Sequence, residues 1–151
     1  MNSELVKKVR KLTQAHAYTS IQMHEAIGKK AGLSGTDHKY LGFLLQRGQM
    51  TAGELANLAG LTTGAITGMI DRFEKKNLVR RTSAENDRRK VFIEPVTRNI
   101  MALMQPLYRE FRSKNEKLIG SFSANEIKVL EKYFSKAIKI MEGTTNRLKQ
   151  K

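Results

Sequence analysis

Between Thr51 and Thr63 the sequence places a helix start, a helix stop and a second helix start, which confines the chain there to two short helices joined by a tight turn. Thr51-Ala52-Gly53-Glu54 is an S/T-x-x-E capping box, in which Thr51 accepts from the Glu54 amide while the Glu54 side chain reaches back. Leu55, Ala56, Leu58 and Ala59 are the inward residues of the first helix, and Gly60 supplies the turn. Thr62 or Thr63 caps the second helix, which is expected to run to about Lys76.

Around this pair, a 3.6-residue apolar rhythm and only two prolines, Pro95 and Pro106, predict a largely helical chain. A first helix is expected from about Ser3 to Lys30, with Leu5, Val9, Leu12, Ala15 or His16, Ile21 and Ile27 near one stripe and its end at Gly28 or Gly32. A second, Asp37 to Gln46, has Thr36 as candidate N-cap and Gly48 as its stop. From Leu78 the rhythm changes: Leu78 to Thr82 and Lys90 to Ile93 read as strands, with the charged segment Ser83 to Arg89 as the long polar tip of a hairpin. Two more helices follow, about Thr97 to Ser121 and about Ser123 to Arg147, the second opened by another capping box, Ser123 with Glu126. The expected fold class is mainly α with a small β-hairpin wing, a winged helix-turn-helix (34–96) flanked by helices at 1–31 and 97–151 in a single domain of 151 residues.

The helix after Gly60 is built from poor helix formers. Gly64 and Gly68 each cost roughly 1 kcal/mol against alanine, and Thr63 and Thr67 cost part of that. Ile66, Met69, Ile70 and Phe73 form its inward stripe. The other face carries Thr63, Gly64, Thr67, Gly68, Asp71, Arg72 and Lys75, small and hydroxylated at one end and cationic at the other. Such a face suits a helix laid in the major groove: Thr63 and Thr67 can bond base edges and offer methyls to thymine, Arg72 can address guanine, and glycines let the backbone approach. Close packing of the glycines against another helix of the same chain is the competing explanation.

Charge favours the nucleic acid. The chain carries 28 Lys and Arg against 14 Asp and Glu, a formal net charge of +14, and the hairpin tip Asn86-Asp87-Arg88-Arg89-Lys90 sets three cations in a row. Arg88 or Arg89 on such a tip can enter the minor groove, Asp87 can hold a guanidinium in position, and Lys75 and Lys90 can meet phosphates. Dispersed solubilising charge is the bland reading, and a solvated loop the bland reading of the tip.

The segments LTTGAITGMIDRFEKKNLVRR and NDRRKVFIEPVT resemble the multiple antibiotic resistance regulator (MarR) family of bacterial and archaeal transcription factors, over about Thr51 to Val96. The resemblance implies a homodimer with interlocking first and last helices and two winged lobes reading a palindromic operator. It places Thr62, Thr63, Gly64, Ala65, Thr67 and Arg72 on the recognition helix, and makes Asp87 the wing aspartate and Arg89 the minor-groove arginine with Arg88 nearby. It also implies a cleft for a small aromatic or phenolic ligand, for which His16, Tyr18, Met23, His38, Tyr40, Phe43 and Arg47 are the candidate lining residues. Two departures stand out: Ala84-Glu85 replaces the Asp-Pro that many relatives carry before the wing tip, and Pro95-Val96-Thr97 replaces their strand-ending Leu-Thr.

The apolar surface of the terminal helices also favours self-association, with capping of their own lobe as the bland reading, and a two-fold dimer would set two recognition helices ~34 Å apart, one turn of B-DNA. Doubling the formal charge gives +28, so binding should weaken steeply with salt. With no cysteine, disulfides and thiolate metal sites are excluded. His16, His24 and His38 have no helical spacing that builds a zinc site, no catalytic motif is present, and neither a cofactor nor catalysis is expected. No secretory signal or membrane-spanning run is visible, which points to the cytoplasm. The expected function is a sequence-specific double-stranded DNA-binding regulator, most simply a repressor released by a small ligand. The alternatives are a sequence-neutral architectural DNA-binding protein and a protein-interaction module on the same scaffold.

Overall fold

The computed structural model describes residues 2–150. In chain order it contains α1 (Ser3–Lys30), α2 (Gly35–Arg47), β1 (Met50–Thr51), α3 (Ala52–Ala59), α4 (Thr63–Lys75), β2 (Val79–Ala84), β3 (Asp87–Pro95), α5 (Thr97–Gly120) and α6 (Ala124–Lys149). Two compact units can be separated, one ending at Tyr108 and the other beginning at Arg109, with the division inside α5. Among the described residues no helix is long and apolar enough to cross a membrane.

Local chemistry fixes the ends of the elements. Thr51 and Glu54 make the reciprocal capping box before α3, at 3.1 Å in each direction. Gly60 closes α3 at φ 65°, a left-handed conformation that glycine adopts without steric cost, and Thr62 then caps α4 by accepting from the Ala65 amide at 3.2 Å. Ser123 with Glu126 does the same for α6.

One helix limit differs from expectation, and at the end of α1 the structure selects Gly32 over Gly28. The N-cap of α2 is Ser34, whose Oγ accepts from the Asp37 amide, so Thr36 lies inside the helix. Gly28 does not end α1, which continues to Lys30; it is buried where α1 meets α2, and a Cβ there would lie 2.8 Å from the Cβ of His38. That glycine serves a helix contact, and Gly32, at φ 76°, turns the chain.

The first unit holds the core. Ile66, Met69, Ile70 and Phe73 of α4 pack with Leu41 and Leu44 of α2, Leu55 of α3, Leu78, Val79 and Ile93 of the hairpin, and Ile100 and Met104 of α5. The sheet is antiparallel in the order β1-β3-β2, with Met50 opposite Ile93 and Arg81 opposite Ile93 on the other side. The two-residue β1 is too short to show any periodicity in the sequence, and it pins the start of α3 to β3.

The hairpin tip is shorter than expected. β2 and β3 extend through the polar segment and leave only Glu85 and Asn86 as the turn, with Ala84 opposite Asp87 and an irregularity between Ser83 and Ala84. A hairpin that projects from the body has solvent on both faces, so its outer strands lack the apolar alternation that marks a half-buried strand.

Apolar side chains remain exposed on the outer helices. Leu5, Val6, Val9, Leu12 and Ile21 are exposed on α1. In the second unit α6 has no buried residue, and Phe134, Ile138 and Met141, three members of its apolar stripe, are exposed.

Candidate nucleic-acid interface

The apolar stripe of α4 is inserted in the core, which forces the opposite face outward. Thr63, Gly64, Ala65, Thr67, Asp71, Arg72 and Lys75 are exposed there. A Cβ added at Gly64 would meet nothing within 4 Å, and one at Gly68 would meet only Nη1 of Arg72, at 3.5 Å. Among the described residues no other helix comes within 4 Å of either position, so close intrachain packing does not account for the glycines. Thr67 donates its hydroxyl to the Thr63 carbonyl at 2.9 Å, which leaves its oxygen as an acceptor and its methyl on the surface.

Arg72 is held more firmly than expected of a base-reading side chain. Its Nε and Nη2 donate to Oδ2 and Oδ1 of Asp37 at 2.8 and 2.9 Å. Asp37 is only 5% exposed, and a buried carboxylate requires such a partner. The hydrogen bond to Asp37 raises the Arg72 pKa above its ordinary value. Nη1 remains outside this pair.

The wing cations are all exposed, and the structure sets them on β3 itself, not on a loop: Arg88, Arg89 and Lys90 fall within Asp87–Pro95. Alternation along the strand separates Arg89 from Arg88 and Lys90, whose Nζ stands 5.7 Å from the centre of the Phe92 ring. Asp87 does not hold a guanidinium. Its Oδ1 accepts from the Arg89 backbone amide at 3.0 Å, which ties down the strand start and leaves the arginine side chain unengaged by that carboxylate.

Two further arginines organise the hairpin. Arg80 pairs across the strands with Glu94 at 3.0 Å. Arg81 reaches to α4, where it donates to Asp71 at 2.7 Å and also to Glu74. The hydrogen bond to Asp71 is the main reason its pKa is raised. Sequence reasoning missed Arg81, although its distance from the two carboxylates is short in sequence.

Of the candidate cleft residues, Tyr40 and Phe43 set their rings 6.0 Å apart. His16, Tyr18 and Arg47 are exposed, and Tyr40 is a core residue whose hydroxyl donates to the Ala59 carbonyl at 3.4 Å. What the fold assembles is His24 of α1, His38 of α2 and Tyr108 of α5: the phenol oxygen lies 2.5 Å from Nδ1 of His24 and 3.2 Å from Nε2 of His38. The phenol proton serves one imidazole, and the other imidazole can donate its N–H to the phenol oxygen. Burial, and then the neighbouring His24, lower the His38 pKa, and burial raises that of Tyr108. The spacing of His24 and His38 does not reveal this cluster; the residue that joins them is Tyr108, one helical turn beyond the buried Met104. Among the described residues no group of three or more His, Asp or Glu stands together as a metal site.

Comparisons with known proteins bear on the family and the fold. The sequence profile of the MarR family matches residues 33–91. An uncharacterized HTH-type transcriptional regulator of Bacillus subtilis (strain 168), YcgE, is 40% identical over 108 residues, 70% of each chain. Among solved structures, a MarR family protein from Bacillus stearothermophilus superposes with a TM-score of 0.73 at 26% identity, covering 94% of this chain and 99% of that one. A mutant of Staphylococcus aureus MepR, solved bound to an oligodeoxyribonucleotide, has the same fold at 18% identity, with a TM-score of 0.59 over 88% of this chain and 97% of its own.

Proposed function

The chain belongs to the MarR family of transcriptional regulators, and from that premise we propose that it is a repressor that binds a palindromic operator as a homodimer and is released by a small ligand. The single observation that carries the DNA-reading role is the bare face of α4, where nothing lies within 4 Å of a Cβ at Gly64. Gly64 and Gly68 weaken the helix and are not required by packing within the chain, so their use is to admit a duplex.

Thr62, Thr63, Gly64, Ala65 and Thr67 face the major groove, and Thr67, its proton engaged, accepts from the exocyclic amine of adenine or cytosine. Arg72 keeps its pair with Asp37 and offers Nη1 to the duplex. Arg89, with Arg88 beside it, enters the minor groove; Asp87 orders the strand that carries them; Lys75 and Lys90 meet phosphates.

The exposed apolar residues of α1 and α6 support a dimer built from the segments 1–31 and 97–151, leaving 34–96 as the DNA-binding lobe. The solved complex of a MepR mutant with an oligodeoxyribonucleotide supports the choice of DNA as partner. Ligand release is supported by His38, a proposed cleft residue that joins a polar cluster with Tyr108 and His24. Selection of bound sites from random duplexes tests the proposal. The expected product is an inverted repeat with half-sites about ten base pairs apart, and recovery of sequences without any preference would overturn it.

A further inference from the structure

The regulator assignment leaves one mechanical question, how the wing is held at a fixed attitude to α4. Only the base of the hairpin is anchored in the core, by Val79 and Ile93. From Arg81 outward, every residue up to Val91 is exposed or half-buried. The cations Arg88, Arg89 and Lys90 therefore ride on a ribbon in which none of the residues from Arg81 to Val91 is buried. Arg81 stands opposite Ile93, at the point where the hairpin leaves the body. Its guanidinium spans Asp71, on the exposed side of α4 that carries Arg72 and Lys75, and Glu74, half-buried at the edge of that side.

We propose that Arg81, clamped between Asp71 and Glu74, is the positioning residue that sets the wing against the recognition helix, so that one duplex meets both. A DNA rod is stiff over tens of base pairs, and two contact surfaces bind it most tightly when their separation is fixed beforehand, because no ordering cost then falls on binding. Stability is not the purpose of the clamp, because exposed ion pairs contribute little and α4 is already fixed by its buried stripe. Arg81 also covers two carboxylates that would otherwise face phosphate.

The inference rests on the regulator assignment, and charge makes the two separable. Asp71→Asn removes a negative charge beside the duplex, so a purely electrostatic account has it bind every DNA more tightly. The clamp requires that it bind the selected operator more weakly, roughly tenfold, as coupled neighbours do, while an unrelated duplex is bound no less tightly. Arg81→Gln should lose a similar factor on the operator, and adding Asp71→Asn and Glu74→Gln to it should cost almost nothing more. Melting curves of each variant, with Glu74→Gln alone as a second probe, establish that all are folded. If wild type prefers its selected site while Asp71→Asn and Glu74→Gln bind that site as tightly or more tightly, the clamp is overturned alone. If wild type itself prefers no duplex, the regulator assignment fails and the clamp falls with it.

Discussion

Arg72 and Asp37 form a two-point pair, Nε to Oδ2 at 2.8 Å and Nη2 to Oδ1 at 2.9 Å, that fastens the recognition helix to the start of α2. The carboxylate is almost fully buried while the arginine is more than half exposed. Removing the exposed partner strands the buried one. Arg72→Ala should therefore destabilise the protein by about 2 kcal/mol, below the range for a fully buried pair because water reaches the vacated site. Urea denaturation checks this, and the double variant Asp37→Leu with Arg72→Met should recover most of the loss. Equal stability of Arg72→Ala and wild type would contradict the pair's structural role.

His38, half-buried beside Tyr108, makes stability depend on pH. Burial, then His24, hold the His38 pKa below its ordinary value, so near and below pH ~6.5 the unfolded chain binds the proton that the folded chain resists. The contribution is complete above that pH and is lost as pH falls through it toward the depressed folded value. The melting temperature should decline between about pH 7.5 and pH 5.5, and His38→Gln should flatten the decline. Parallel declines in both proteins would rule out His38 as the group responsible.

Arg89 is exposed, and Asp87 binds its backbone instead of its side chain. Arg89→Ala should leave the melting temperature unchanged and weaken operator binding by about 1–3 kcal/mol. Undiminished affinity would remove Arg89 from the minor groove.

Much of this fold was legible because its punctuation is local. The capping boxes at Thr51 and Ser123, the turn at Gly60 and the stripe Ile66, Ile70 and Phe73 each follow from residues within a few positions of one another. The missed features depend on partners far along the chain or on surroundings. β1 is a strand only because β3 lies beside it, and the outer hairpin is polar because neither of its faces is covered. Site residues followed the same division. The exposed face of α4 could be read from helical period alone, whereas the capture of Arg72 by Asp37, 35 residues away, could not. The cluster of His24, His38 and Tyr108 needs three helices to meet, and its distant member, Tyr108, lies 84 residues from His24.

The central claim is that the outer face of α4 is kept bare for a duplex. Affinity of Gly64→Leu for the selected operator tests it most directly, because the space beside Gly64 is empty in the free protein and leucine is a better helix former. The variant should melt no lower than wild type yet bind the operator at least about tenfold more weakly, comparable to the loss of one base contact. A variant that folds and binds the operator with wild-type affinity would contradict the account.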